Sequence, residues 1–257
     1  MLTEETIHAF LSSEGIRPGD TVLVHTSMRA LGPVERGCDG LIDAFRSYLT
    51  EGLFLVPTHT WANVNRNQPV YDVTRTLPCI GALPTVAAFR KDAVRSLHPT
   101  HSVAAFGERA KEYVQGEALA ETPCPKGGAW ARLCEEDATI LLLGVKLNRN
   151  TYLHAVDEML DLPDRLGEPF TVEILDGEGN RSRHSFRPHH NAGSENFENY
   201  RKPLEAFGAL RQVSLGNASV GICSARKTAE VMKKLWTKAE YNLCAELREI
   251  PPSYYEE

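Results

Sequence analysis

Two apolar strands joined through a helix, near the start of the chain, constrain the fold more than any other feature. Residues 21–25 (TVLVH) and 52–56 (GLFLV) are short apolar runs bounded by turn residues, and they predict strands. Between them, residues 38–49 carry apolar side chains at the spacing of one helical face. Two strands connected through a helix normally lie parallel in one sheet. The unit therefore predicts an α/β protein.

Two hairpin patterns lie in the C-terminal half of the chain. Residues 170–175 and 181–186 flank a turn rich in Gly, Asp and Asn, and residues 211–224 contain a second such turn. They predict antiparallel strands beside the parallel unit. No repeat or linker divides the 257 residues, so we expect one domain over residues 1–257. Further helices are predicted at 3–13, 81–91, 129–134, 194–206 (ended or kinked by Pro203) and 225–247, and further strands at 102–106 and 139–145.

Composition narrows the class of protein. The formal net charge of −6 argues against a general nucleic-acid binder, which would carry a basic face. No apolar run approaches the roughly 18–20 residues that a membrane span needs. The six cysteines form no CxxC pair, and the first residues lack the basic and apolar segments of a signal peptide. We therefore expect reduced cysteines and a cytoplasmic protein.

Residues 138–158 carry the strongest signal for chemistry. A buried strand leads through a polar turn into a helix that contains His154, Asp157 and Glu158. Active sites of α/β proteins lie at the carboxyl ends of strands. A histidine one turn into the following helix, with carboxylates three and four residues later, suits proton transfer. By itself, His154 is equally well explained as a buried histidine of the core.

Common cofactor and nucleophile motifs are missing from the sequence. There is no G-x-G-x-x-G, no G-x-x-x-x-G-K-[ST] and no G-x-S-x-G, which argues against dehydrogenases, NTPases and serine hydrolases. The histidines His98, His101, His189 and His190 leave a metal-dependent hydrolase open as an alternative. However, no HExxH or Cys/His cluster is present, and we expect no metal.

Several short motifs follow one another in a defined order along the chain. They are His25-x-Ser27-x-x-x-Leu31-Gly32, Val56-Pro-Thr58, Gly81-x-Leu83, Arg95-Ser-x-His-Pro99, Ser102-x-Ala-Ala-x-Gly107, Trp130-Ala-Arg-Leu133, Leu141-Leu-Leu-Gly144 and Asn150-Thr151-x-x-His154-x-x-Asp157. Each is short, but the whole ordered set is specific. From about residue 21 to residue 157, the chain resembles the aminoglycoside 3-N-acetyltransferase family.

This resemblance implies a fold, a cosubstrate and a set of roles. The fold would be a three-layer α/β/α sandwich, distinct from the GNAT acetyltransferases, with a largely parallel central sheet and antiparallel hairpins in the C-terminal half. The activity would be acetyl transfer from acetyl-CoA to an amine, with His154 as general base and an acidic residue farther along as its assistant. The residues implied to bind acetyl-CoA are His25, Ser27, Met28, Arg29, Leu31, Gly32, His98, Ser102, Gly128 and Trp130.

The chemistry of acetyl transfer suits these residues without the family. An amine is mostly protonated at neutral pH, and a histidine that titrates near ~6.5 can accept the proton it must lose. The oxyanion formed from the thioester then needs hydrogen-bond donors, such as the hydroxyl of Ser27 or Thr151 or loop N–H groups. A thioester is already activated, so neither a protein nucleophile nor a metal is required.

The sequence departs from the family pattern where the assisting acid is expected. Residues 187–195 offer no carboxylate before Glu195, so His189, His190 or Glu195 would take that role. A neutral histidine can orient the base, but it does not stabilise a cation as a carboxylate does. A histidine pair also suits an anionic acceptor better than a polycation, which points away from an aminoglycoside drug.

The acceptor side is the least defined part of the site. The polar stretch 58–76 follows a strand end and carries Trp61, Asn63, Tyr71 and Asp72, which suit a sugar or an amine as well as they suit simple loop packing. Asp157 and Glu158 could reach either His154 or the substrate.

The expected partners are acetyl-CoA and a small-molecule primary amine, and a homodimer is left open. A CoA-binding protein without turnover is the remaining alternative. The sequence does not name the amine, and it does not separate antibiotic resistance from a biosynthetic role.

Overall fold

A mixed seven-stranded sheet forms the centre of the molecule. The computed structural model describes residues 1–190, 193–240 and 249–256. The strands within these ranges are β1 (Thr21–Thr26), β2 (Leu53–Pro57), β3 (Val70–Asp72), β4 (Val94–Arg95), β5 (Val103–Phe106), β6 (Thr139–Leu143), β7 (Phe170–Leu175), β8 (Arg181–Phe186), β9 (Leu210–Leu215) and β10 (Ala218–Ser224). The central sheet has the order β4-β5-β2-β1-β6-β10-β9.

The middle of this sheet is parallel, and its two flanks are antiparallel. Strand β1 pairs in parallel with both β2 and β6. On one side, β5 pairs antiparallel with β2, and on the other side β10 pairs antiparallel with β6. Strand β10 also forms the predicted hairpin with β9. The predicted strand–helix–strand crossover is therefore confirmed. It brings the carboxyl ends of β1, β2 and β6 to one edge.

Helices cover both faces of the central sheet. Alternating strand residues explain why: Val22 and Val24 pack into one apolar cluster, while Leu23 between them packs into another on the opposite face. Both faces must be covered to bury these side chains. The α/β sandwich is confirmed. The helices are α1 (Glu4–Ser13), α2 (Met28–Leu31), α3 (Gly37–Tyr48), α4 (Ala82–Ala88), α5 (Ala110–Tyr113), α6 (Ala129–Glu135), α7 (Tyr152–Met159), α8 (Arg201–Ala206) and α9 (Ala225–Lys238).

A small second sheet, ordered β3-β7-β8, lies beside the first. The β7–β8 hairpin has the bounds that the sequence predicts. Strand β3 lies inside the long stretch predicted as a loop, because three residues flanked by polar turns are too short to show a strand period. Its Tyr71 is buried together with Ile174 and Phe186, which anchors the polar stretch against the hairpin.

Two helical predictions differ from the structure. The segment predicted at 194–206 divides at Tyr200, where a 3-10 stretch (Ser194–Tyr200) passes into α8. Pro203 neither ends nor kinks the helix. It is the third residue of α8, where a backbone N–H would have no intrahelical partner, so the N–H that proline lacks is not missed. The last helix, predicted over 225–247, is described to Lys238, and residues 241–248 lie outside the described ranges. None of the described helices is long and apolar enough to cross a membrane.

Candidate active site

A cleft of about 1250 Å³ opens at the carboxyl ends of the three parallel strands. The residues at these ends (Thr26, the last of β1; Pro57, the last of β2; and Gly144, which follows β6) all line it. Ligands of α/β proteins bind at this edge because polar loops meet there. The sequence-predicted site residues that line the cleft are His25, Ser27, Met28, Arg29, Trp61, Thr151, His154 and His189.

His154 stands in the cleft wall on α7 with an unused ring nitrogen. Its Nδ1 is buried and has no hydrogen-bond partner among the described residues. Burial, reinforced by the neighbouring His189 and His59, lowers the pKa of His154 well below its usual value. The ring is therefore neutral at neutral pH. A neutral imidazole is the form in which a histidine acts as a general base.

His189 links His154 to a carboxylate. The His189 ring lies 4.6 Å from the His154 ring, and its Nε2 lies 3.0 Å from Oε1 of Glu158. The same Glu158 oxygen accepts the N–H of Cys124 at 2.9 Å. The carboxylate that contacts His189 therefore comes from α7 itself. Glu195 is exposed and outside the cleft lining.

His190 does not share the position of His189. Its side chain is exposed and outside the cleft lining, while its backbone N–H donates to the carbonyl of Arg165. The expected histidine pair is therefore a single histidine with a carboxylate behind it. The inference that a histidine pair favours an anionic acceptor loses its structural basis.

Two further histidines, His59 and His101, complete the cleft wall. His59 Nε2 lies 2.9 Å from the Thr151 hydroxyl, and the His59 and His101 rings are 4.6 Å apart. Burial lowers the pKa of both well below the usual value, and it lowers the pKa of His25 to about 3. The sequence assigned neither of them to the acetyl-transfer site. Their position directly after β2 and before β5, at strand ends, was the signal that could have placed them here.

Asn150 is a residue that the sequence analysis missed. It lines the cleft, and its Oδ1 accepts the N–H of Tyr152 at 3.2 Å. Because the atom that accepts this N–H must be the oxygen, the bond assigns Oδ1 and Nδ2 of the side-chain amide, and Nδ2 is the free donor. Nδ2 is buried and has no hydrogen-bond partner among the described residues. A buried amide donor without a partner costs free energy unless a ligand accepts from it. Its place before Thr151 in the Asn-Thr-x-x-His motif was the available signal.

Comparison with known proteins identifies the family. The model of the aminoglycoside 3-N-acetyltransferase family matches residues 23–237, most of the chain. The chain belongs to this family. It is 29% identical over 200 residues to aminoglycoside N(3)-acetyltransferase III of Serratia marcescens, covering 70% of this chain and 72% of that protein. It is 29% identical over 249 residues to aminoglycoside N(3)-acetyltransferase VII of Streptomyces paromomycinus, covering 86% of each.

Solved structures share the fold of this family member. AAC-IIIb, in a binary complex with CoASH, superposes with a TM-score of 0.80 at 22% identity and covers 92% of this chain and 97% of its own. At that identity the likeness shows the fold alone. The predicted family and α/β fold are confirmed, and the protein is an acyltransferase.

In this acyltransferase, two residues predicted to bind the coenzyme lie behind the cleft wall. His98 is buried: its Nδ1 accepts the N–H groups of Thr100 (3.2 Å) and His101 (2.9 Å), and its Nε2 lies 3.0 Å from the Thr122 carbonyl. Both ring nitrogens are occupied, which fixes the proton on Nε2. Ser102 donates its hydroxyl to the carbonyl of residue 58 at 2.8 Å. These residues hold the loop that presents Thr100 and His101.

Four other residues predicted to bind the coenzyme also lie outside the lining. Trp130 is buried and donates its ring N–H to the His101 carbonyl at 2.9 Å. Leu31 is a core residue, and Gly32 ends α2 with φ +84°. Gly128 precedes α6, where a Cβ would lie 2.8 Å from a carboxylate oxygen of Glu117. These four residues shape the loops around the cleft, and their contact with the coenzyme stays a prediction.

Glu117 fixes the start of α6 and makes stability depend on pH. It is buried, and its Oε1 accepts the N–H of Ala129 at 2.8 Å. Burial raises the pKa of Glu117 from 4.5 to about 7. Between these values the folded state holds a proton that the unfolded state has released, so this group's contribution to stability falls as the pH rises.

Glu117→Gln, which is neutral at every pH, is therefore expected to gain stability relative to the wild type as the pH rises from 5 to 8. The gain should approach about 3 kcal/mol. Urea unfolding at several pH values measures it. Glu112→Gln, an exposed neighbour on α5, is the control and should show no such trend. A constant difference between Glu117→Gln and the wild type would contradict the buried, protonated carboxyl.

Most residues predicted to bind the acceptor serve the structure instead of lining the cleft. Trp61 is the exception, half exposed at the rim. Asn63 donates to the Leu77 carbonyl, Tyr71 is buried with its hydroxyl on the Ser96 carbonyl, and Asp72 accepts from Thr74 in a turn. Asp157 is buried in an ion pair with Arg165 at 3.1 Å. Glu158 contacts the cleft residue His189.

The four histidines of the hydrolase alternative do not assemble into a metal site. His98 has no free nitrogen, and His190 lies outside the cleft lining. In the described part of the chain, one group of potential metal donors comes together: Cys124, Glu158 and His189, within 4.8 Å of one another. Two of these donors already satisfy each other through the Glu158–His189 contact.

Proposed function

We propose that this acyltransferase moves an acetyl group from acetyl-CoA directly to a primary amine of an aminoglycoside, amino sugar or related small molecule. The single observation that carries the proposal is the neutral His154 ring in the wall of the cleft. The names of the relatives support an amine of this class as the acceptor. The CoASH complex of a structural neighbour supports acetyl-CoA as the donor.

His154 acts as the general base. The acceptor ammonium first releases one proton to solvent, which frees its nitrogen lone pair. As that nitrogen attacks the thioester carbonyl, His154 accepts the second proton that it must lose. The resulting imidazolium lies beside His189, which is hydrogen-bonded to the Glu158 carboxylate, so negative charge behind the pair stabilises it. His154 then returns the proton to the departing CoA thiolate, and the enzyme is regenerated.

The Asn150 amide is the donor that we assign to the oxyanion formed during attack. Its Nδ2 is buried and unpaired, whereas the Thr151 hydroxyl, the donor expected from the sequence, already contacts His59 Nε2 at 2.9 Å. A donor held in place before the reaction requires no reorganisation when the charge develops. Thr151, through its contact, holds the His59 ring against the cleft wall.

A thiol-release assay tests this function. Purified protein with acetyl-CoA should liberate free CoA thiol only when a primary amine is present, and mass spectrometry should find the N-acetylated amine. Release that is insensitive to chelators agrees with direct transfer. Stoichiometric bound zinc with amine-independent hydrolysis would favour the hydrolase, and CoA binding without release from any amine would favour the non-catalytic alternative.

A further inference from the structure

The charge of the cleft selects among amine acceptors. We propose that the acceptor carries a single amine, and that this cleft discriminates against polycationic aminoglycosides. This inference rests on the proposed acetyl transfer. It is carried by the absence of carboxylates among the described residues of the cleft wall and by the position of Glu158 just behind that wall.

The charged side chains that line the cleft all have the same sign. They are Arg29, Arg66, Lys146 and Arg149, and the described lining residues include no Asp or Glu. All four are exposed on the wall. The histidines His25, His59, His101 and His154 add no positive charge at neutral pH, because burial lowers their pKa values. The charged side chains of the cleft wall are therefore positive, and these four histidines are neutral.

Positive side chains suit the coenzyme and oppose a polycation. Coenzyme A carries a phosphomonoester and a diphosphate, and lysine and arginine bind phosphates well. An aminoglycoside with several ammonium groups needs carboxylates, or it must keep each charge hydrated. Like charges in a cleft disfavour binding and cost several kcal/mol when they are placed face to face. No described residue of the cleft wall supplies the compensating charge.

Of the described carboxylates, Glu158 is the one that contacts a residue of the cleft wall near His154, and it can balance one positive charge. Glu158 contacts the cleft residue His189 through a 3.0 Å hydrogen bond, and its own side chain is only 7% exposed. The other acid on this helix, Asp157, is committed to Arg165. Glu158 can therefore offset the charge of the reacting ammonium, or of His154 after proton transfer. The described lining residues offer no such partner to a second or third ammonium group.

Aromatic side chains supply the remaining recognition. Trp61 is half exposed at the rim, and Phe170 lines the same cleft with the Arg66 guanidinium 5.8 Å above its ring. Flat apolar faces beside a cation suit the ring of one sugar, with a hydroxyl or anionic substituent near Arg66. An amino sugar with one amine meets all of these conditions.

A panel of acceptors that differ in the number of amines tests the inference. Glucosamine and glucosamine 6-phosphate carry one amine, whereas neamine and kanamycin carry several. We expect kcat/KM for the better single-amine acceptor to exceed that of either aminoglycoside by roughly tenfold or more, the effect of about 1.4 kcal/mol. Equal or faster acetylation of neamine or kanamycin would overturn the inference while leaving acetyl transfer intact.

Equilibrium binding decides the question even without turnover. Calorimetric titration of CoA-saturated protein should give tighter binding for glucosamine 6-phosphate than for kanamycin, and the reverse order would overturn the inference. Thiol release from none of the four amines would instead contradict the proposed function. The two failures are therefore distinguishable.

A charge-reversal variant provides an independent check. Arg66→Glu should improve kanamycin binding by about two- to fivefold, the worth of one exposed ion pair. Arg66→Gln should give a smaller gain. Arg75→Glu, in the same stretch but outside the cleft lining, is the matched control and should change nothing. The KM for acetyl-CoA, measured in parallel, shows whether Arg66 also serves the coenzyme. No gain in Arg66→Glu would count against the charge argument.

Discussion

Replacing His154 with alanine is expected to reduce kcat by roughly 10²–10⁴, the usual contribution of a positioned general base. The reason is geometric and electrostatic: this ring is neutral, lies in the cleft wall and contacts His189, which is hydrogen-bonded to Glu158. The Kd for CoA should change little. The substitution removes the proton acceptor but leaves the loops that are predicted to bind the coenzyme unchanged. Steady-state kinetics and calorimetry measure the two quantities.

A second substitution separates proton transfer from packing. The His154 ring lies 4.6 Å from Phe197, so alanine also leaves a gap. His154→Gln fills most of that volume and keeps polarity, yet it cannot accept a proton, so it should lose as much turnover as alanine. His184→Ala, a histidine that lies outside the cleft lining and contacts the Ala120 carbonyl, is the control. Substantial turnover in His154→Gln would remove His154 from the role of base.

The pH profile of the wild type follows from the same residue. A base works in its neutral form, so kcat/KM falls as the pH drops through the pKa of His154 in the free enzyme. Because burial lowers that pKa, the acidic limb should lie below the usual range of histidine. Titration of the free acceptor amine shapes the alkaline side separately.

The sequence could predict the elements that are local and periodic. The strands before and after α3 and the β7–β8 hairpin follow from apolar spacing and turn residues within about a dozen positions. His154 could be predicted because a strand end, a turn and a helix start lie within one short segment. Strand β3 could not, since its three residues show no period and are held in place by Tyr71 in a cluster with distant Ile174.

The contacts that define the site depend on long-range pairing. His59 and His101 are 42 positions apart, and they meet because β2 and β5 are antiparallel neighbours. The Glu158–His189 contact requires the β7–β8 hairpin to bring the chain back over α7, and spacing along one helix suggested a contact with His154 instead. Sequence spacing predicts neighbours on one element. It does not predict which residue of a distant loop reaches them.

Removal of the Asn150 amide donor should be the next most damaging change. Loss of one oxyanion donor typically costs about 10²–10³ in kcat, because the charge it stabilises exists only in the transition state. The KM values should therefore change little. Asn150→Asp is the sharper variant: it retains an oxygen that can accept the Tyr152 N–H, removes the donor and puts a carboxylate where negative charge develops.

Asn148 offers a matched control for this substitution. It is the same residue type in the same loop and also lines the cleft. Asn148→Asp adds the same charge two residues away and should lose much less turnover if the Asn150 effect is local. Equal losses in the two variants would indicate a general effect of negative charge on coenzyme binding, which a raised KM for acetyl-CoA would reveal. Full turnover in Asn150→Asp would exclude this amide as the donor and return the role to the Thr151 hydroxyl or to backbone N–H groups of the cleft.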